Sequence, residues 1–138
     1  MKTVYSAGLF ALLLPVCIGA VWPGSTASRG DNVSYKEDIS PLLNKYCLPC
    51  HAEENYNPSE LSLDSYALLM KGGKHGEAVK PGNPDESIVI QKLREPPLFG
   101  DRMPLHSKRK KTTTPPVYLS EDEVQILAKW ISQGARDN

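Results

Sequence analysis

The sequence predicts a small all-α domain of about four short helices around a modest core. Two capping boxes, Ser34 with Glu37 and Ser120 with Glu123, each open a run of apolar residues at helical spacing. Twelve prolines among 138 residues leave few windows long enough for long bundles, repeats or large sheets. Apolar residues make up 40% of the chain, enough for a folded domain. Its 10 glycines and 12 prolines stay below the roughly 25–30% that marks low-complexity disorder. Sixteen basic residues balance sixteen acidic ones, which argues against a globally basic nucleic-acid binder and against a highly acidic tail protein.

The first element is not part of the fold. Residues 1–20 begin with Lys2, pass through an apolar stretch from Ala7 and reach small residues at Gly19 and Ala20, the pattern of a secretory signal peptide. Small residues recur at Ser25, Thr26 and Ala27, so cleavage as late as 27 also fits. The apolar run is short for the ~20 residues of a membrane span and contains Pro15. We therefore expect an exported, periplasmic or extracytoplasmic protein with no stable membrane insertion after cleavage. An uncleaved signal would leave it membrane-associated. Cys17 lies inside the signal, and Pro15 and Val16 before it suit a lipid-attachment site badly. Cys47 and Cys50 then remain in the mature domain, residues 28–138.

Ile39, Leu42, Leu43 and Tyr46 follow the first capping box at i, i+3, i+4, i+7. Pro41 suits the first position of a helix, so the helix proper can begin at Ser40. It leads into Cys47-Leu48-Pro49-Cys50-His51, the C-x-x-C-H spacing that attaches c-type haem. Two thiols one helical turn apart can each form a thioether to a haem vinyl group, and the adjacent imidazole then lies under the iron as proximal ligand. Zinc would need about four ligands and would have to recruit His75 or His106. A structural disulfide would need neither His51 nor anything downstream, and a redox-active dithiol would want a βαβ setting.

Residues 52–62 are polar, contain Pro58 and read as a surface loop near the haem edge. Asp64 or Ser62 can cap a short helix that Gly72 ends, with Tyr66, Leu69 and Met70 on its buried face. Asn83, Pro84 and Glu86 supply a cap, a first-position proline and an early glutamate for a helix running to about Leu93, which Pro96-Pro97 stops. In the last helix Leu119 and Val124 have staple spacing and Gly134 provides the end. Val124, Leu127, Ala128 and Ile131 form its apolar face, widened by Ile126 and by Trp130, which we expect to pack against the first helix.

Met103 is the expected distal iron ligand. It sits in Gly100-Asp101-Arg102-Met103-Pro104, a breaker-rich loop with no helical stripe around it, whereas Met70 has the spacing of a core filler. His75, in the glycine-rich run 72–76, and His106 are the alternatives for a bis-histidine haem; an open or water-filled site is the third arrangement. Residues 106–116 carry Lys108, Arg109, Lys110 and Lys111, either a solvated charge run or a surface that steers an acidic redox partner. The export signal speaks against nuclear import and nucleic acid as targets of that run.

Several motifs occur in one order: Ile39-Ser40-Pro41-Leu42-Leu43, the haem motif, Leu61-x-Leu63-Asp64-Ser65, Lys71-Gly72-Gly73, Pro81-Gly82-Asn83-Pro84, Arg102-Met103-Pro104 and Trp130-Ile131-x-x-Gly134-Ala135. Over about residues 33–136 the chain resembles the planctomycete-type cytochrome c domain. The resemblance implies a monohaem fold with Cys47 and Cys50 as thioether attachments, His51 proximal and Met103 distal. The chain departs from the family pattern at Leu105, where a second proline often follows Met-Pro, and at 106–116, which looks like an insertion. Sequence and resemblance together lead to an exported haem c protein that transfers single electrons and performs no bond chemistry on a substrate. A haem sensor or peroxide-reactive protein with a displaceable sixth ligand is the alternative, and a small zinc or disulfide domain is a further one.

Overall fold

A computed structural model describes residues 31–105 and 117–138. The expected signal segment with Cys17, and the stretch 106–116 with His106, Lys108, Arg109, Lys110 and Lys111, lie outside the described residues. Among the described residues the fold is all-α, with four α-helices and no strand: α1 (Ser40–Tyr46), α2 (Tyr66–Lys71), α3 (Ile88–Leu93) and α4 (Glu121–Ser132).

A π-helical turn, Tyr35–Ile39, runs directly into α1. The widened turn immediately precedes Pro41, which has no N–H to give and whose ring would crowd the carbonyl of Glu37 in an uninterrupted α-helix. It also shifts the expected capping box. Ser34 Oγ accepts from the Glu37 amide at 3.2 Å as anticipated, but the carboxylate that reaches back to the Ser34 amide, at 2.9 Å, belongs to Asp38.

The cap of α2 is Ser65, whose side chain accepts from the Leu68 amide, and neither Asp64 nor Ser62 serves that purpose. Asp64 instead accepts from the Glu53 amide at 2.7 Å, tying the segment after the haem motif to the start of α2. The helix expected from Pro84 to Leu93 is divided. Pro84–Glu86 form a single 3-10 turn, Ser87 is extended, and α3 begins at Ile88. The reason is the fully buried Ser87, whose hydroxyl donates to the Asn83 carbonyl and accepts from the Lys80 amide, both at 2.9 Å. That pair of bonds competes with helix continuation.

α4 packs on the π turn, on the 3-10 turn and on α3. Its capping box at Ser120 and Glu123 is complete in both directions, and Gly134, at a φ of 97°, follows its end. Leu127, Trp130 and Ile131 are buried, whereas Ile126 is 38% exposed and so lies off the packed face. Trp130 meets Tyr35 of the π turn at 5.7 Å and Tyr66 of α2 at 6.5 Å between ring centroids, and the two tyrosines meet edge to face at 5.2 Å. Its indole N–H donates to the Arg136 carbonyl at 2.9 Å, so the ring buries no unpaired polar group. Trp130 thus joins α4 to the first helical segment, as expected. Met70 is half-buried against the same core.

The first described segment is fastened to the C-terminal residues beside this cluster. Asn138 accepts from the Tyr35 amide at 2.9 Å through its side chain and from the Lys36 amide at 3.1 Å through its carbonyl. Tyr66 donates its hydroxyl to the Ala135 carbonyl at 2.9 Å.

Candidate functional site

A cavity of about 1130 Å³ opens on the molecule, and Cys47, Cys50, His51 and Met103 all line it. Its volume exceeds the roughly 300–1,000 Å³ of ordinary small-molecule pockets, and its walls are mostly apolar. His75 lines it too, whereas Met70 and Trp130 do not.

One wall is the haem motif. Cys47 caps α1, with its amide bonded to the Leu43 carbonyl, and the next turn closes when the His51 amide donates to the Cys47 carbonyl at 3.1 Å. Cys47 and Cys50 are not bridged to each other. Burial pushes the Cys47 thiol up to about 11, and the adjacent Cys50 adds to the effect. A disulfide oxidoreductase needs the opposite shift, toward a reactive thiolate. Among the described residues no three His, Cys, Asp or Glu side chains converge as a metal site of the zinc type would require.

The His51 ring is fixed from behind. Its Nδ1 lies 2.9 Å from the Leu61 carbonyl, a contact that needs the proton on Nδ1 and leaves Nε2 with a free lone pair. This is the tautomer an iron-ligating imidazole needs. The Leu61 carbonyl is held in place because the neighbouring Leu63 amide donates to the His51 carbonyl at 2.8 Å. Asn57 donates to the same Leu61 carbonyl and shapes the loop as an Asx turn, its Oδ1 accepting from the Ser59 amide at 3.1 Å. Reading 52–62 only as a surface loop misses this supporting role, although Asn57-Pro58-Ser59 carries the turn chemistry that could have exposed it.

The loop that bears Met103 lines the same cavity, and α3 holds it. The Met103 amide donates to the Lys92 carbonyl at 2.8 Å, and Arg102 Nε donates to the Leu93 carbonyl at 2.7 Å. These two bonds use carbonyls that the end of a helix leaves unpaired. Lys92 reinforces the loop by donating its ammonium to the carbonyls of Phe99 and Asp101. Arg102 also lies 4.2 Å from the Tyr118 ring. The missing second proline at Leu105 is therefore offset by bonds to α3 that residue spacing does not reveal.

The glycine run bearing His75 is a tight hairpin rather than an open loop. Gly73 and Gly76 exchange backbone bonds at 3.0 and 2.9 Å, and the Lys74 amide donates to the Ser59 carbonyl at 2.8 Å. His75 is exposed at the rim, where its ring meets Phe99 at 4.5 Å.

The donor set and the apolar volume fit a haem: two unbridged thiols at thioether spacing, an imidazole with Nε2 free, and a thioether sulfur lining the same cavity. No helix among the described residues is long and apolar enough to cross a membrane. Comparison with curated proteins and with solved structures found no match. Residues 47–104 match the family Planctomycete cytochrome C, a stretch that runs from the first cysteine of the haem motif to the proline after Met103 and so includes Cys47, Cys50, His51 and Met103. Over residues 47–104 the chain is thus similar to a planctomycete-type cytochrome c domain, and such a domain implies covalently bound haem c with its iron.

Proposed function

We propose that the protein is an exported monohaem c-type cytochrome that passes single electrons between redox partners. The observation that carries this reading is the shared cavity, which Cys47, Cys50, His51 and Met103 all line. Bound there, haem supplies a one-electron iron couple. Cys47 and Cys50 would hold the porphyrin through their sulfurs, and His51 would offer Nε2 while its Nδ1–H stays on Leu61. Met103 would offer its sulfur from a loop anchored to α3. The apolar lining keeps the site at low dielectric, which tunes the potential and excludes bulk water. Lys108, Arg109, Lys110 and Lys111 provide the charge to steer an acidic partner.

Replacement of the two proposed axial ligands tests the reading. His51→Ala is expected to prevent stable haem-loaded protein. Met103→Ala is expected to leave haem covalently attached, lower the reduction potential and let the reduced protein bind carbon monoxide. An unchanged spectrum and potential in Met103→Ala would refute Met103 as ligand, and carbon monoxide binding by the unaltered protein would favour the displaceable-ligand alternative. Removing residues 108–111 should slow partner reduction mainly at low salt, because exposed charges are screened over about 8 Å at physiological ionic strength.

A further inference from the structure

We propose that Asn57 sets how strongly His51 donates to the haem iron, and hence the reduction potential, by sharing the carbonyl that holds the His51 ring. The inference rests on the reading of His51 as an iron ligand. The Leu61 carbonyl oxygen receives two side-chain donors, His51 Nδ1 at 2.9 Å and Asn57 Nδ2. Asn57 Nδ2 is itself 3.4 Å from His51 Nδ1, so the three groups form one compact cluster behind the ring.

The orientation of the Asn57 amide is fixed independently of the histidine. Its Oδ1 accepts from the Ser59 amide at 3.1 Å and from the Ser59 hydroxyl at 2.6 Å. A flipped amide would set its NH₂ against the Ser59 N–H and its oxygen against the Leu61 oxygen, two repulsive contacts. Asn57 therefore presents a donor to Leu61. The residue is half-buried and lines the cavity.

A carbonyl oxygen has two lone pairs and can serve both donors, but each draws electron density from the other. With Asn57 bonded, Leu61 is a weaker acceptor for the Nδ1 proton, so that proton stays more fully on nitrogen. The imidazole then has less imidazolate character and Nε2 donates less charge. Reduced iron is favoured relative to oxidised iron, and the potential is raised. Removing the Asn57 donor reverses each step. This is a positioning and tuning role, exerted through His51 and without contact to the iron.

The test is a redox titration of the covalently loaded protein with Asn57→Ala, Asn57→Asp and Ser59→Ala. Asn57→Asp keeps an oxygen for the Ser59 amide, so the turn survives while the donor is lost and a negative charge is placed beside Nδ1. We expect the potential to fall in Asn57→Ala and further in Asn57→Asp, by up to roughly tenfold in the oxidised-to-reduced ratio, or about 59 mV for one electron. The His51 Nδ1 proton resonance of the reduced protein should move downfield in parallel. Ser59→Ala, which keeps the Ser59 amide but loses one of the two bonds that orient the Asn57 donor, should shift both in the same direction and by clearly less. Unchanged potentials and resonances in both Asn57 variants, with the wild-type visible spectrum retained, would overturn this inference alone, as would an equal shift in Ser59→Ala. Survival of the wild-type spectrum in His51→Ala would overturn the ligand reading beneath it.

Discussion

The end of the molecule around Trp130 and the end around the cavity are built on opposite principles. At the first, Ile39, Ile131 and Trp130 are at most 1% exposed, three aromatic rings interlock, and Asn138 is bonded to the start of the π turn. At the second, Cys50 is exposed and Tyr56 is 94% exposed, and the walls are held by backbone and side-chain hydrogen bonds around an apolar space. A domain of this size has little apolar surface to bury, so a haem in the cavity would extend the single core, whose edge there is already formed by Leu63, Ala78 and Leu93. The protein core alone serves stability at one end, whereas at the other part of that stability would depend on the cofactor.

The largest break in this contrast is the double replacement Cys47→Ala with Cys50→Ala. It is expected to abolish covalent haem retention, seen as loss of haem absorbance after denaturing electrophoresis, and to expose the cavity walls to rapid hydrogen exchange while amides of α4 stay protected. Uniform loss of protection would show that the two ends are not separable. Trp130→Ala removes the ring that joins α4, α2 and the π turn. It should cost about 3–5 kcal/mol in denaturant unfolding, with the visible spectrum of the folded fraction unchanged.

Gly73→Ala sharpens the comparison from the cavity side. A Cβ there would lie 2.6 Å from the Ser59 carbonyl, a backbone atom that cannot swing away. The expected loss is about 1–3 kcal/mol, accompanied by a change in the visible spectrum because Ser59 belongs to the turn behind His51. A stability loss without a spectral change would separate the hairpin from the haem wall.

The smallest effect concerns Glu123, which lies between α4 and α1. The Ser120 amide, helped by Tyr46 and Lys45, holds its carboxyl down to about 2. The folded state thus favours the ionised form, so this contribution is complete above the ordinary carboxylate range and is lost as pH falls toward 2. Tm measured against pH should fall less steeply for Glu123→Gln than for the unaltered protein in that acid window. Identical slopes would remove the pH linkage assigned to this residue.

The elements legible in the sequence are those specified by neighbouring residues. The capping box of α4, the glycine that ends α2 and the helix leading into the haem motif all depend on contacts within a few positions, and each stands where its pattern places it. Bonds between distant segments escaped this reading. Ser87 breaks the expected helix because it must satisfy the Lys80 amide, and Asp64 forgoes capping α2 because the Glu53 amide takes it. At the site, the four candidate ligating residues were legible from spacing and loop chemistry. The support behind them was less plain: the Lys92 carbonyl under the Met103 loop is a backbone group that a sequence does not display, whereas the Asn57-Pro58-Ser59 turn behind His51 left a local signal.

In the proposed reading, a haem fixed at Cys47, Cys50, His51 and Met103 would complete one cavity. The most direct test is the visible spectrum, oxidised and reduced, of the full chain expressed in a host that attaches c-type haem. The account predicts covalent haem with a weak long-wavelength sulfur-to-iron band in the oxidised form that disappears in Met103→Ala. Absence of covalent haem, or a band that survives in Met103→Ala, would contradict it.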